Sequence, residues 1–271
     1  MAIVKGPFQF SGGISGVSFY TIAGSDRVIM RTKGGPKARR IKVGKEFAKL
    51  RTHQKEWAAC VTFSFGVRGA LGQTYRMADY NVSPVWNGMG KNLMKLDTEH
   101  IVGERDLKLS AYKHVLDNFS LNRNYAFNAV LRVNPTVDVN RDKLSVSVTF
   151  PRFNSGVDIL NIQRLPYFRL IVSIGLVCDI LYSTENDVRE RYMPVSMING
   201  CSKSTISDWQ SANDLINEQT LTAQFKDDFL PDMSDQITVL ASVGIEFGNV
   251  GFAGQITEVK RAGCAKILAV R

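Results

Sequence analysis

Between 144 and 150 the chain alternates strictly. Leu144, Val146, Val148 and Phe150 are apolar, Ser145, Ser147 and Thr149 are polar, and Pro151 ends the run. A period of two with one apolar face predicts a half-buried β-strand. Further runs rich in β-branched and aromatic residues fall at 125–133, 168–182, 220–225, 236–247, 251–260 and 264–270, separated by Pro, Gly, Asn and Asp clusters. Seven or so short strands in about 150 residues predict an antiparallel sandwich. The connection 183–218 is long and polar and contains Pro194 and Gly200. It is either a functional excursion or the site of a short helix near 207–217.

The period changes upstream. From about Lys45, the residues Phe47, Leu50, Trp57, Ala58, Val61 and Phe65 recur at three- and four-residue spacing with Lys49, Arg51, Lys55 and Glu56 between them. This predicts an amphipathic helix with those six residues on its apolar face. Ser83-Pro84 is a start signal, an N-cap followed by proline at the first helical position, and Trp86, Met89, Leu93 and Leu96 form a stripe behind it. A second helix to about His100 follows, weakened by Gly88 and Gly90 at roughly 1 kcal/mol each relative to alanine. The stretch 66–79 is ambiguous and helical in part. Before these helices, Gly12, Gly13 and Gly16 precede 17–22, and Ala23-Gly24-Ser25-Asp26 punctuates before 27–31. Two short strands around a turn fit that pattern. A lone hairpin is marginal and must dock on its own body or on a neighbour.

Charge changes this picture, because it is not spread evenly. The 271 residues carry a net charge of +9, and residues 1–60 hold twelve cations and three anions, which is the whole excess. The remaining 211 residues hold 22 of each sign. A basic arm on a neutral body is a local device rather than a general aid to solubility. The longest apolar stretch, 168–182, is too short for a membrane span and carries Arg169 and Asp179. The first residues show no apolar h-region, so a cleaved export signal is not expected.

Catalytic constellations are weak. The three histidines, His53, His100 and His114, form no HExxH or His-x-His spacing, and Cys60, Cys178, Cys201 and Cys264 contain no CxxC. Three of these thiols, Cys60, Cys178 and Cys264, read as small buried apolar residues in a reducing compartment, with Cys201 in a polar loop. Gly12-Gly13-Ile14-Ser15-Gly16 lacks the G-x-G-x-x-G order, and Val43-Gly44-Lys45 is followed by Glu46 where a phosphate-binding loop needs Ser or Thr. No G-x-S-x-G elbow occurs, and Asp227-Asp228 sits in a turn before Pro231.

The pattern Gly12-Gly13-Ile14-Ser15-Gly16-Val17, a Phe-Tyr strand, Gly24, and Val28-Ile29-Met30-Arg31 with Lys33-Gly34-Gly35 resembles an uncharacterised family of bacterial proteins found mainly in Bacteroidetes. The helix with Phe47, Arg51 and Gln54 is also similar, as are the apolar strand at 239–247 and the final strand at 262–270. The resemblance is strong over residues 10–70 and weak elsewhere. It implies a two-part architecture and supplies no activity or site residues.

These observations predict an α+β, mainly β fold. A basic arm with a hairpin occupies 1–44, a helical segment 45–120, and an immunoglobulin-like antiparallel sandwich 121–271. The expected function is a non-enzymatic structural protein, without cofactor, metal or membrane partner, in the cytoplasm or in a particle assembled there. It would form homo-oligomers, whether filament, tube or particle, through an arm containing Phe8, Phe10, Gly12, Gly13, Gly16, Phe19 and Tyr20. The alternative is a sequence-blind nucleic-acid binder, such as a phage or particle component, in which Arg31, Lys33, Lys37, Arg39, Arg40 and Lys42 meet phosphates. A third reading places a carbohydrate or peptide platform at Tyr192 and Trp209.

Overall fold

The computed structural model describes residues 2–4, 12–21, 27–32, 34–184, 191–226 and 233–271. Two compact units, Met1–Arg51 and Thr52–Arg271, divide the chain. The first contains strands β1 (Ala2–Val4), β2 (Gly12–Ile14), β3 (Val17–Thr21) and β4 (Val28–Thr32), paired antiparallel in the order β1-β4-β3-β2. The expected hairpin is the β3–β4 pair, widened by a strand on each side. Ser15 and Gly16 both have positive φ, +43° and +83°, as a two-residue type I′ loop between β2 and β3 requires. A short helix, α1 (Ala38–Val43), follows and buries no side chain.

The second unit is mainly β with antiparallel sheets. Helix α2 (Ala48–Ala70) enters it, and α3 (Ser83–Met94) follows. A single helical turn α4 (Phe127–Val130) precedes strands β5 (Thr136–Asn140), β6 (Ser145–Phe150) and β7 (Phe153–Asn154) and the turn α5 (Ser155–Asp158). Then come β8 (Tyr167–Cys178), β9 (Ile180–Tyr182), β10 (Tyr192–Pro194), β11 (Ser202–Ile206), β12 (Gln210–Ser211), β13 (Leu215–Ile216) and β14 (Gln219–Gln224). The chain closes with β15 (Ile237–Val250), β16 (Ile256–Glu258) and β17 (Cys264–Val270).

At the centre β8 and β15 pair over twelve residues, from Ile237 opposite Cys178 to Gly248 opposite Tyr167. Strands β11 and β12 add to the outer edge of β8, and β16 and β17 to that of β15. One face, with Phe168, Leu170, Val172, Ile174, Val239, Val243 and Ile245, packs against Val146, Val148 and Phe150 of the three-stranded sheet β14-β6-β5. The opposite face, with Ile171, Val177 and Leu240, shares a core with Cys60, Phe63, Val67, Trp86 and Met94 of α2 and α3. Burial on both faces is why β8 and β15 read as continuous apolar runs, whereas β6, buried on one face, alternates. The helical segment and the strands after it thus fold as one unit.

The helix-facing side of the central pair is a trough of small residues. Ser173, Gly175, Ser242 and Gly244 lie on it, and Thr74 Oγ1 hydrogen-bonds Ser242 Oγ at 2.8 Å. A Cβ on Gly175 would stand 1.9 Å from the Ala70 carbonyl oxygen, and one on Gly244 would stand 2.2 Å from Met77 Cε. The end of α2 and the 3-10 turn Gly72–Met77 therefore rest nearly on the strand backbone.

Several expectations need correction. The residues chosen as the apolar face of α2 point outward: Trp57 is 48%, Val61 47% and Phe65 59% exposed, and Leu50 is also exposed. Glu56, Ala59, Cys60, Phe63, Ser64, Gly66, Val67 and Ala70 are buried instead. Glu56, Ser64 and Gly66 lie on the inner face beside Phe63 and Val67, so the inner face is less hydrophobic than the outer one. The run 125–133 contains helix α4, not a strand, and 207–217 contains β12 and β13, not a helix. Helix α3 stops at Met94 rather than near His100, and Ser83 lies within its first turn, with Val82 at the N-cap.

Close approach yields a paired prediction. Gly175→Ala forces the strand and Ala70 apart and should cost about 3 kcal/mol or more. Gly88 lies in α3 with nothing within 4 Å of a Cβ, so Gly88→Ala should stabilise by roughly 0.5–1 kcal/mol. Chemical denaturation of the two variants checks both signs.

Candidate functional site

The N-terminal unit brings together part of the expected arm. Gly12, Gly13, Ile14 and Gly16 are exposed along β2 and its turn. Phe19 pairs across the sheet with Met30, and Tyr20 with Ile29. Phe8, Phe10 and Lys33 lie outside the described residues. The Arg31 guanidinium covers the Tyr20 ring at 5.4 Å, so neither is free in the manner of a base-stacking platform. Arg40 Nε donates to Glu46 Oε1 at 2.8 Å, and Arg51 donates to the carbonyls of Ile41 and Gly44 at 2.7 and 2.8 Å, closing the end of α1. Lys37, Arg39 and Lys42 are exposed and make no ion pair among the described residues.

Buried charge in the second unit forms fasteners. The Glu56 side chain is fully buried, with Arg105 Nε at 2.7 Å and Nη2 at 2.9 Å, Lys91 Nζ beside it, and the Gly103 N–H at 2.8 Å. Burial opposes ionisation here. The hydrogen bonds from Arg105, Lys91 and Gly103 outweigh it and hold the carboxyl at about 2. One carboxylate on α2 thereby ties down α3 and the loop after it.

Asp97, His100 and Asp106 each offer a ligand atom within 4.8 Å of the others. By residue type such a set suits a divalent metal. Its hydrogen bonds say otherwise. Asp97 Oδ1 accepts from the N–H groups of Glu99 and His100, and Oδ2 from His100 Nδ1 at 2.8 Å and the Asp106 N–H at 2.7 Å. Asp106 accepts from the Tyr182 N–H at 2.9 Å, and Lys108 Nζ stands 3.5 Å from its other oxygen. Desolvation opposes the charge on Asp97, yet those donors hold it at about 2. The Asp97 hydrogen bond raises His100 above its ordinary value. This is a loop clasp, and the Asp-x-x-His spacing at 97–100 was its one visible sign in the sequence.

Two further groups are similarly engaged. Glu246 receives Arg76 and Arg169, both at 2.7 Å, while Glu258 receives Arg169 at 3.1 Å. Burial pushes the Asp179 carboxyl up, against hydrogen bonds from the Ser110 side chain and N–H. Burial also pushes the thiols of Cys60 and Cys178 up to about 11, and that of Cys264 up, which makes them poor nucleophiles. Cys201 is half-buried.

The expected Tyr192–Trp209 platform is not formed. Tyr192 is buried against Tyr182, with ring centroids 5.2 Å apart, beyond the Cys178 end of β8. Trp209 lies under Arg169 at 4.2 Å and against Gly248, at the other end of the strand pair. Among the described residues no helix is long and apolar enough to cross a membrane. No protein-family model matches the chain, and no curated protein matches it in sequence.

Glu56 makes stability fall in acid. Its folded value near 2 lies below the ordinary 4.5, so its contribution is complete above pH 4.5 and lost as pH falls towards 2. Glu56→Gln should cost about 3–5 kcal/mol at neutral pH, because Lys91 and Arg105 lose their buried acid. Thermal melts between pH 2 and 7 should also show a flatter acid slope for the variant than for the wild type.

Proposed function

We propose that this chain is a non-enzymatic structural protein that assembles with itself through its N-terminal unit. The observation that carries the reading is the direction of the outer strands. In the order β1-β4-β3-β2 every neighbour is antiparallel, so β1 and β2 run in opposite directions and each has an outer edge with no partner strand among the described residues. The β2 edge of one copy can therefore accept the β1 edge of the next with the antiparallel alternation preserved. Such head-to-tail addition is heterologous and does not close on itself unless a rotation closes it, which suits a filament or tube. In this reading the facing sheets of the second unit are an immunoglobulin-like body that acts as a rigid carrier. Its buried carboxylates hold loops, which favours a scaffold over a catalyst.

A second reading rests on three exposed cations, Lys37 at the N-cap of α1 and Arg39 and Lys42 within it. Three phosphate contacts would give nonspecific duplex binding with a log–log salt slope of about −2.7.

Ile14 is exposed on the β2 edge, and Ile14→Lys adds a charge of the kind that blunts edge strands. Sedimentation across a concentration series should show oligomers for the wild type and a monomer of unchanged fold for the variant. Equal assembly by both refutes the edge reading. A titration with duplex DNA at two salt concentrations tests the second reading, which is lost if nothing binds at low salt.

A further inference from the structure

The outward face of α2 carries apolar side chains that the fold does not use. Trp57, Val61 and Phe65 recur at four-residue spacing, Ala58 lies between them, and Gln54 and Arg68 extend the same seam by three residues at either end. A helix with apolar residues on both faces is one that expects cover on both. The helix cannot turn to hide this stripe. On its inner side Glu56 is fixed by Lys91, Arg105 and Gly103, and a Cβ on Gly66 or Gly69 would strike Asn199 or Gly200. The stripe is therefore held outward and pre-organised.

Charge says what kind of cover fits. On the exposed side of the helix with the stripe stand Lys55 and Arg68, the latter 5.2 Å over the Phe65 ring. The one acid on α2, Glu56, is buried and already paired. Two copies laid antiparallel about Val61 would set Arg68 of each near Gln54 and Lys55 of the other, like charge to like with no acid to meet. A seam of one large side chain per turn matches the ridge of another helix better than a flat surface. We propose that the outward face of α2 is the docking site for an acidic amphipathic helix of a partner protein. The stripe shares no residue with the β2 strand, so Ile14→Lys changes none of its side chains and the two readings fail independently.

The test uses the full chain and a labelled three-heptad peptide with Leu at a and d and Glu at e and g, together with its Lys counterpart. Fluorescence anisotropy should give the Glu peptide a Kd in the range of about 1–100 µM, about tenfold or more tighter than the Lys peptide. Val61→Glu and Ala58→Glu, both at exposed positions, should each weaken it by about tenfold or more while the far-ultraviolet spectrum is unchanged. No binding of the Glu peptide at about 100 µM, equal binding of the Lys peptide, or indifference to both variants overturns the proposal. So does sedimentation in which Val61→Glu dissolves a wild-type dimer, which would make the occupant a second copy. Binding to phosphatidylserine vesicles that Val61→Glu abolishes, with no peptide binding, would assign the face to a membrane surface and overturn it equally.

Discussion

The central strand pair must be apolar on one face and nearly flat on the other. Strands β8 and β15 present Phe168, Leu170, Ile245 and Phe247 to the three-stranded sheet, and present Ser173, Gly175, Ser242 and Gly244 to the end of α2 and the turn after it. The trough at Gly175 admits the Ala70 backbone, while Gly66 and Gly69 of α2 leave room for Asn199 and Gly200. That requirement decides where the bulky side chains go. Phe63 and Val67 reach the shared core, while Trp57, Val61 and Phe65 are left on the outside.

Charge is used in two ways. In the second unit, carboxylates without access to water are each surrounded by N–H donors or guanidinium groups, and they join segments far apart in sequence: Glu56 to Arg105, Glu246 to Arg76, Asp179 to Ser110. A buried ion pair adds little net stability over an apolar replacement, but breaking one is costly, so such pairs specify which loop meets which helix. In the first unit most of the described cations are exposed. The neutral balance of residues 61–271 is in part internal pairing, whereas Lys37, Arg39 and Lys42 stand exposed and make no ion pair among the described residues.

Much of the β architecture was legible in the sequence. The alternation at 145–150 and the apolar runs of β8 and β15 are direct products of one-sided and two-sided burial. The antiparallel pair β3–β4 was marked by residues favouring strands, although the outer strands at 2–4 and 12–14 were not. The buried face of α2 was illegible for a physical reason. Hydrophobic periodicity locates the most apolar face, and here steric fit, not hydrophobicity, chooses the buried one. The strand reading of 125–133 failed because Phe127 and Val130, three residues apart on one helical turn, have the same composition as a short strand. Of the candidate arm, Phe8 and Phe10 lie outside the described residues, and Tyr20 and Arg31 are occupied with each other. The Glu56 knot depends on partners brought together by the fold, which no local spacing encodes, and of the Asp97 clasp only the Asp-x-x-His spacing was visible.

The twelve-residue register between β8 and β15 makes the chain tolerant of some changes and intolerant of others. Slipping either strand by one residue exchanges its two faces, which would send Gly175 or Gly244 into the sheet-to-sheet core and push Leu176 or Ile245 against the helix backbone. A change of side chain on one face can be absorbed by neighbours, but a change of length inside either strand damages both cores at once. Parity is therefore the most conserved quantity this architecture can have. Descendants of the sequence are free to drift in residue identity along these strands and to vary in length only in the connections between them.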